Sequence, residues 1–286
     1  MKVSVEIVNA FIDGDIGGNP AGVVLDANPL TAQQKLIVAQ KVGLSETAFV
    51  SNSEVATIKL EFFTPVQQIA HCGHATIATF SRMSELGLVQ NGRMSKETVD
   101  GTREIIIDGS MAFMEQSRPI YTDVLNTEEV RAALNLSSDV PLHSISIVNT
   151  GNAFLLVPLH NASSVAEIQP NQDLIKKISA QYDLIGFYVF SSETTVPGRH
   201  AGARMFAPRY GIDEEAATGM AAGPLACYLH DRKGIDETTL FIEQGHLMHP
   251  PSGSVISVDL QLVDGCITRL MAGGVGRSIQ QIEIDI

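Results

Sequence analysis

Four side chains of this sequence have the types and settings that proton transfer requires: Glu46, Cys72, His74 and Glu215. Glu46 follows Leu44-Ser45 and precedes the apolar Ala48-Phe49-Val50, where a loop becomes a strand. A carboxyl projecting from a strand end into a partly apolar cleft has its charged form disfavoured. Its pKa then rises, and one group both removes and returns a proton near neutral pH. The competing reading of Glu46 is a loop carboxylate exposed to water. His74 closes the turn Cys72-Gly73-His74. It either packs and caps there, or shuttles a proton or hydrogen-bonds an enolic oxygen. A helix N-terminus favours the neutral imidazole, because the dipole opposes an added positive charge. Glu215 stands just before a second helix, where a carboxylate complements the dipole, a role compatible with hydrogen bonding to a substrate.

These residues sit in a motif used twice. Phe63-Thr64-Pro65 leads to Cys72-Gly73-His74-Ala75-Thr76, and Phe206-Ala207-Pro208 leads to Ala217-Thr218-Gly219-Met220. Pro65 to Thr76 spans 11 residues and Pro208 to Thr218 spans 10. Each copy reads as a strand ending in proline, a loop, then a small-residue turn opening a helix. Such a turn leaves backbone N–H groups at a helix N-terminus, where they and the dipole attract an anion. Gly73 in the first copy, and Thr218, Gly219 and Met220 in the second, are therefore candidate binders of a substrate carboxylate. Asn19, in Gly18-Asn19-Pro20-Ala21-Gly22, either hydrogen-bonds substrate or fixes an Asx-type turn. That turn is echoed by Gly151-Asn152-Ala153-Phe154, in the same order relative to the helix motif. Two ordered echoes argue for duplication into two related halves.

The elements that must position these residues follow from local pattern. Strands are expected over Val3–Phe11, Thr57–Phe63, Met111–Gln116, Leu142–Val148, Ile185–Ser191, Thr239–Gln244, Ser254–Leu262 and Thr268–Gly273, and a strand pair over Glu97–Thr102 and Glu104–Ile107. Thr31 caps a helix running to about Lys41; further helices cover His74 to about Leu86, Thr127–Leu136, Asp173–Tyr182 and Thr218 to about His230. Gly273-Gly274-Val275-Gly276 reads as a loop and lacks the spacing of a dinucleotide fingerprint. The expected domains are 1–117, with 274–286 returning to that half, and 118–273.

The chain has 286 residues, 44% hydrophobic and 18% charged, so it can bury sizeable cores. Its net charge of −13 makes nucleic acid and anionic membrane surfaces poor partners. Three cysteines, Cys72, Cys227 and Cys266, are too few for a disulfide framework or a zinc site, and His246 and His249 are too isolated to suggest a metal. Met1 to Val8 alternates like a strand and does not read as a signal peptide. No apolar run approaches the roughly 20 residues that cross a bilayer. The expectation is a reduced, soluble, cytoplasmic protein.

Gly18-Asn19-Pro20-Ala21-Gly22, Leu44-Ser45-Glu46-Thr47-Ala48-Phe49, Phe63-Thr64-Pro65, Cys72-Gly73-His74-Ala75-Thr76, Arg204-Met205-Phe206-Ala207-Pro208 and Glu214-Glu215-Ala216-Ala217-Thr218-Gly219 together resemble the PhzF-like, or phenazine biosynthesis-like, proteins over essentially the whole chain. The resemblance implies the diaminopimelate-epimerase-like α+β fold. In it two pseudo-symmetric domains, each a curled, mostly antiparallel β-sheet or barrel around a central helix, flank a cleft. It also implies a cofactor-independent isomerase, often a homodimer, acting on a small carboxylate-bearing substrate, with Glu46 as acid/base and His74 and Glu215 as polar partners. Where the family usually reads Glu-Asp-Pro-Ala-Thr-Gly-Ser, this chain has Glu215, Ala216 and Met220 in place of the Asp, Pro and Ser. Pro250 stands where a later segment usually carries Arg. These departures bear on substrate identity. A racemase with two opposed cysteines is unavailable, since Ala216-Ala217-Thr218 offers no thiol. Cys72 then reads as a small buried residue under the turn. Two alternatives stay open: a racemase or epimerase using Glu46 and Cys72 as unequal bases, and a non-catalytic ligand-binding or scaffold protein.

Overall fold

A computed structural model describes residues 1–123 and 126–286. In chain order the elements are β1 (Lys2–Ala10), β2 (Asn19–Val24), α1 (Ala32–Val42), β3 (Thr47–Ser51), β4 (Ile58–Phe63), β5 (Gln68–Ile69), α2 (Gly73–Glu85), β6 (Gly92–Thr98), β7 (Gly101–Asp108) and β8 (Met111–Gln116). There follow β9 (Ile120–Asp123), α3 (Thr127–Ala133), β10 (Ser146–Asn149), β11 (Ala153–Pro158), α4 (Ala162–Ala166), α5 (Gln172–Gln181), β12 (Gly186–Ser191) and β13 (Ala201–Ala207). The last are β14 (Ile212–Glu215), α6 (Gly219–Lys233), β15 (Thr239–Gln244), β16 (Ser254–Val263) and β17 (Cys266–Asp285). The chain divides into two compact units, Met1–Glu115 with Gly273–Ile286, and Gln116–Ala272.

In the first unit the strands close on themselves. β1 runs antiparallel to β17, Lys2 opposite Asp285, and antiparallel to β2, Ile7 opposite Gly22. β2 and β3 are parallel, β3 and β4 antiparallel, β4 and β6 parallel. β6, β7 and β8 follow as an antiparallel meander, and β8 pairs back onto β17. Closure removes the sheet edges that would otherwise be open to other chains. Inside lies α2, buried on all sides from Gly73 to Ser81, as a helix without a consistently polar face must be. Its small residues let strands approach: a Cβ added to Gly276 would meet the Ser81 Cβ at 2.8 Å. α1 packs elsewhere, its Val38 and Ala39 joining Val3, Val5, Val24, Phe49 and Phe63. Thr31 starts α1 with a capping box to Gln34, and Gly43 ends it at φ 70°.

The second unit is a mixed sheet. β9, β10 and β11 are antiparallel, β11 and β12 parallel, β12 and β13 antiparallel, β13 and β15 parallel, β15 and β16 antiparallel. α6 packs on β10, β11, β15 and β16, while α4 and α5 lie on β12 and β13. Cover on both faces explains why every residue of β12 and β13 is buried. The α+β class expected from the resemblance is the class observed.

Two expectations need correction. The strand pair expected to break at Arg103 turns earlier, between Thr98 and Gly101. Thr98 pairs with Gly101 across a two-residue Val99-Asp100 loop, and its hydroxyl is shared between the Asp100 carboxylate and the Gly101 carbonyl, which holds the register. Gly273-Gly274-Val275-Gly276 is not a loop but the middle of β17. A Cβ on Gly273 would come 2.3 Å from the Ala112 carbonyl oxygen, so glycine here serves close backbone approach rather than a turn.

Candidate active site

In the first unit the Glu46 carbonyl accepts from Gly22 N at 3.1 Å, one residue before the parallel β2–β3 ladder begins. This fixes the backbone from which the Glu46 side chain leaves. Only glycine fits at 22, because a Cβ there would meet Thr47 Oγ1 at 2.8 Å. Glu46 is 5% exposed, which removes the reading of a solvated loop carboxylate. Cys72 is the N-cap of α2 in extended backbone, and His74 lies in the first turn; both are buried. Thr76 Oγ1 donates to the Cys72 carbonyl at 2.6 Å and tightens that turn.

The His74 ring stands between the other two groups. Its Nδ1 is 3.6 Å from Cys72 Sγ, and its Nε2 is 3.4 Å from Glu46 Oε2. Burial pushes the Cys72 thiol up; His74 acts against that and Glu46 reinforces it. A thiol that keeps its proton donates to Nδ1, which selects the tautomer with the hydrogen on Nε2, the ring nitrogen nearer the carboxylate. One donor atom from each of Glu46, Cys72 and His74 lies within 4.8 Å of the others, and among the described residues they form a set able to surround a cation. The imidazole has one nitrogen near each neighbour, an arrangement that can also relay protons between the thiol and the carboxylate. Gly73 opens α2 beside His74, and Asn19 opens β2, buried and opposite Ala10.

Below the turn lies a group that sequence reasoning missed. Lys96 on β6 is fully buried, its Nζ 2.8 Å from Thr76 Oγ1, 3.2 Å from His71 Nδ1 and 5.1 Å from the Phe62 ring centroid. Burial drives its pKa down to about 7. Burial, then the Lys96 and Arg103 charges, hold His71 down at about 2.

In the second unit, Thr218 is the N-cap of α6 and donates through Oγ1 to Glu215 Oε2 at 2.5 Å. Gln244, also missed, organises this turn. Its Oε1 accepts from Thr218 N at 3.1 Å and the Tyr188 hydroxyl at 2.9 Å, while its Nε2 donates to the Glu215 carbonyl at 2.7 Å. The Gly219 carbonyl accepts from Gln116 Nε2 at 2.9 Å, and Met220 Sδ lies 3.4 Å from Asn152 Nδ2. Arg204 grips Glu214 through two bonds, at 2.7 and 2.8 Å, and donates to three carbonyls from Val165 to Ile168. Glu46, Cys72, His74 and Gly73 are thus neighbours in one unit, and Glu215, Thr218, Gly219 and Met220 in the other. Nothing in the mostly polar run Arg93-Met94-Ser95-Lys96-Glu97-Thr98 marks Lys96 as a buried side chain.

No helix among the described residues is long and apolar enough to cross a membrane. The profile of the phenazine biosynthesis-like proteins matches residues 8–274. An uncharacterized isomerase, YddE of Salmonella typhimurium, is 34% identical over 260 residues, 86% of each chain. The trans-2,3-dihydro-3-hydroxyanthranilate isomerase of Pseudomonas chlororaphis is 32% identical over 231 residues, 78% of each chain. The crystal structure of a PhzF-family phenazine biosynthesis protein from Bacillus anthracis superposes with a TM-score of 0.89 at 27% identity, covering 100% of both chains.

Proposed function

The chain belongs to the phenazine biosynthesis-like family, and on that footing we propose that it is a cofactor-independent isomerase moving a proton on a small carboxylate-bearing substrate. The observation that carries this reading is the buried line Cys72–His74–Glu46, with 3.6 and 3.4 Å between successive polar atoms. Glu46 takes a proton from carbon while the C–H electron pair passes into an adjacent unsaturated group. A proton then returns at the same or another carbon, so no atom is gained or lost and no external reductant is needed. His74 steadies the carboxyl in both states. Glu215 and the backbone N–H groups at Gly73 and Thr218–Met220 bind the substrate's polar groups.

The relative from Pseudomonas chlororaphis acts, by its name, on trans-2,3-dihydro-3-hydroxyanthranilate, a carboxylate of the proposed class. That compound is the first probe, followed by amino and hydroxy acids, because Met220 supplies a thioether where the family usually has a hydroxyl. The test is deuterium incorporation from solvent followed by NMR, comparing the natural protein with Glu46→Gln. Exchange that vanishes in the variant supports the reading. Exchange that persists moves the chemistry to His74 or Cys72, and no exchange on any probe favours a binding protein. The same reading includes a cytoplasmic homodimer, testable by cell fractionation and by light scattering on the purified protein.

A further inference from the structure

Lys96 touches two residues, His71 and Thr76, that bracket Cys72, Gly73 and His74 in sequence. Its partner Thr76 is in turn bonded to the Cys72 carbonyl, so the ammonium is one hydroxyl away from the N-cap of α2. The groups facing it are the Phe62 ring on β4, His71, Cys72 and Thr76 around the start of α2, Asp100 in the following turn, and Arg103 directly across on β7. Among the described residues no carboxylate forms an ion pair with it, and Arg103 adds like charge. Burying an amine without a carboxylate is unfavourable, and a methionine would fill similar space without that penalty. The amine therefore does something that packing alone does not need.

We infer that Lys96 is a positioning residue that clamps the turn carrying Cys72 and His74, holding His71 on one side and Thr76 on the other and keeping His71 a neutral acceptor. A protonated His71 could not accept from the ammonium, and the two cations 3.2 Å apart would repel. The clamp would then release one arm. Below neutral pH, where Lys96 carries its charge, the coupling between the two bases is strongest. The functional meaning of the clamp rests on the proton-transfer reading above, whereas the clamp itself is read without turnover, so the two can fail separately.

The experiment is a titration of histidine ring signals by NMR from pH 8 to pH 4, with His71 and His74 assigned from His71→Asn and His74→Asn. In the natural protein His71 is expected to stay neutral throughout, with Nδ1 showing the shift of a hydrogen-bonded acceptor. In Lys96→Met it should take up a proton within this pH range, and the His74 signal, which Lys96 does not touch, should move. Lys96→Arg should keep His71 neutral. Ile105→Ala, a core truncation on β7, serves as a control for lost stability and should leave both signals in place. Identical His71 titration in the natural protein and folded Lys96→Met overturns the clamp. If Lys96→Met does not fold, the natural protein alone decides: a His71 that protonates above pH 5, or whose Nδ1 carries the hydrogen, overturns it equally.

Discussion

His74 Nε2 lies 3.4 Å from Glu46 Oε2, with the histidine side chain 4% and the glutamate side chain 7% exposed. At this separation and this far from water, the electrostatic interaction between the two groups is stronger than it would be in solvent. Glutamine at 46 keeps the size and one hydrogen-bonding oxygen but cannot carry the proton. Glu46→Gln should therefore lower kcat by about 10²–10⁴ with KM nearly unchanged, the usual contribution of a general acid–base. Steady-state kinetics on the substrate identified by deuterium exchange checks this. A loss confined to KM would demote Glu46 to a binding group.

Cys72 is expected to matter through its hydrogen bond to His74 rather than through sulfur chemistry. Burial keeps the thiol protonated, and a serine hydroxyl can replace it as donor to Nδ1. Cys72→Ser should cost less than about tenfold in kcat, about 1.4 kcal/mol, while Cys72→Ala should cost more because Nδ1 loses its partner. A serine variant slower by a hundredfold would instead support unequal bases, with Cys72 as one of them.

The second unit offers a stability test at Gln244. Leucine there would strand the Thr218 N–H, the Tyr188 hydroxyl and the Glu215 carbonyl, each buried or partly buried. Each buried group left without a partner costs about 1–3 kcal/mol. Urea unfolding should show Gln244→Leu well below Tyr188→Phe, which removes only one of these bonds. Equal losses would mean that the amide is not a hub.

His71 makes the fold acid-sensitive. Its folded pKa of about 2 lies below the unfolded 6.5, so between those values the unfolded chain binds a proton that the folded protein does not. Stability must then fall as pH drops through that window, by about 1.4 kcal/mol per pH unit from this group. Lys96, depressed to about 7 from 10.5, adds the same sign on the alkaline side, stability rising with pH between the two values. Urea unfolding at pH 6, 5 and 4 should give a shallower loss for His71→Asn. Parallel curves would show that His71 already protonates in the folded protein.

Local chemistry was the legible part of the sequence. The Thr31 cap, the strand Ile58–Phe63 and the small-residue turn opening α2 all follow from patterns a few residues long. The family resemblance supplied the α+β class, which no local pattern could. What escaped was set by distant contacts. Gly273 looks like loop chemistry until the Ala112 carbonyl is placed against it. Lys96 lies 20 residues from Thr76 and 25 from His71, and Gln244 lies 26 residues from Thr218. Nothing in such spacing announces a hydrogen bond. The approach of His74 to Glu46 likewise depends on β2, β3 and α2 all being in place.

The pairing of β1 with β17 sets an order of events in time. Lys2 finds its partner only at Asp285, so during synthesis the first strand waits for the last. Gln116–Ala272 has left the ribosome before the first barrel can shut. Until then α2 and the turn at Cys72 lack their final wall, and joining ends so distant in sequence is entropically slow. The unit made first is therefore completed last. A ribosome-bound chain halted before residue 273 should hold Met1–Glu115 in a protease-sensitive state that release of the full chain removes.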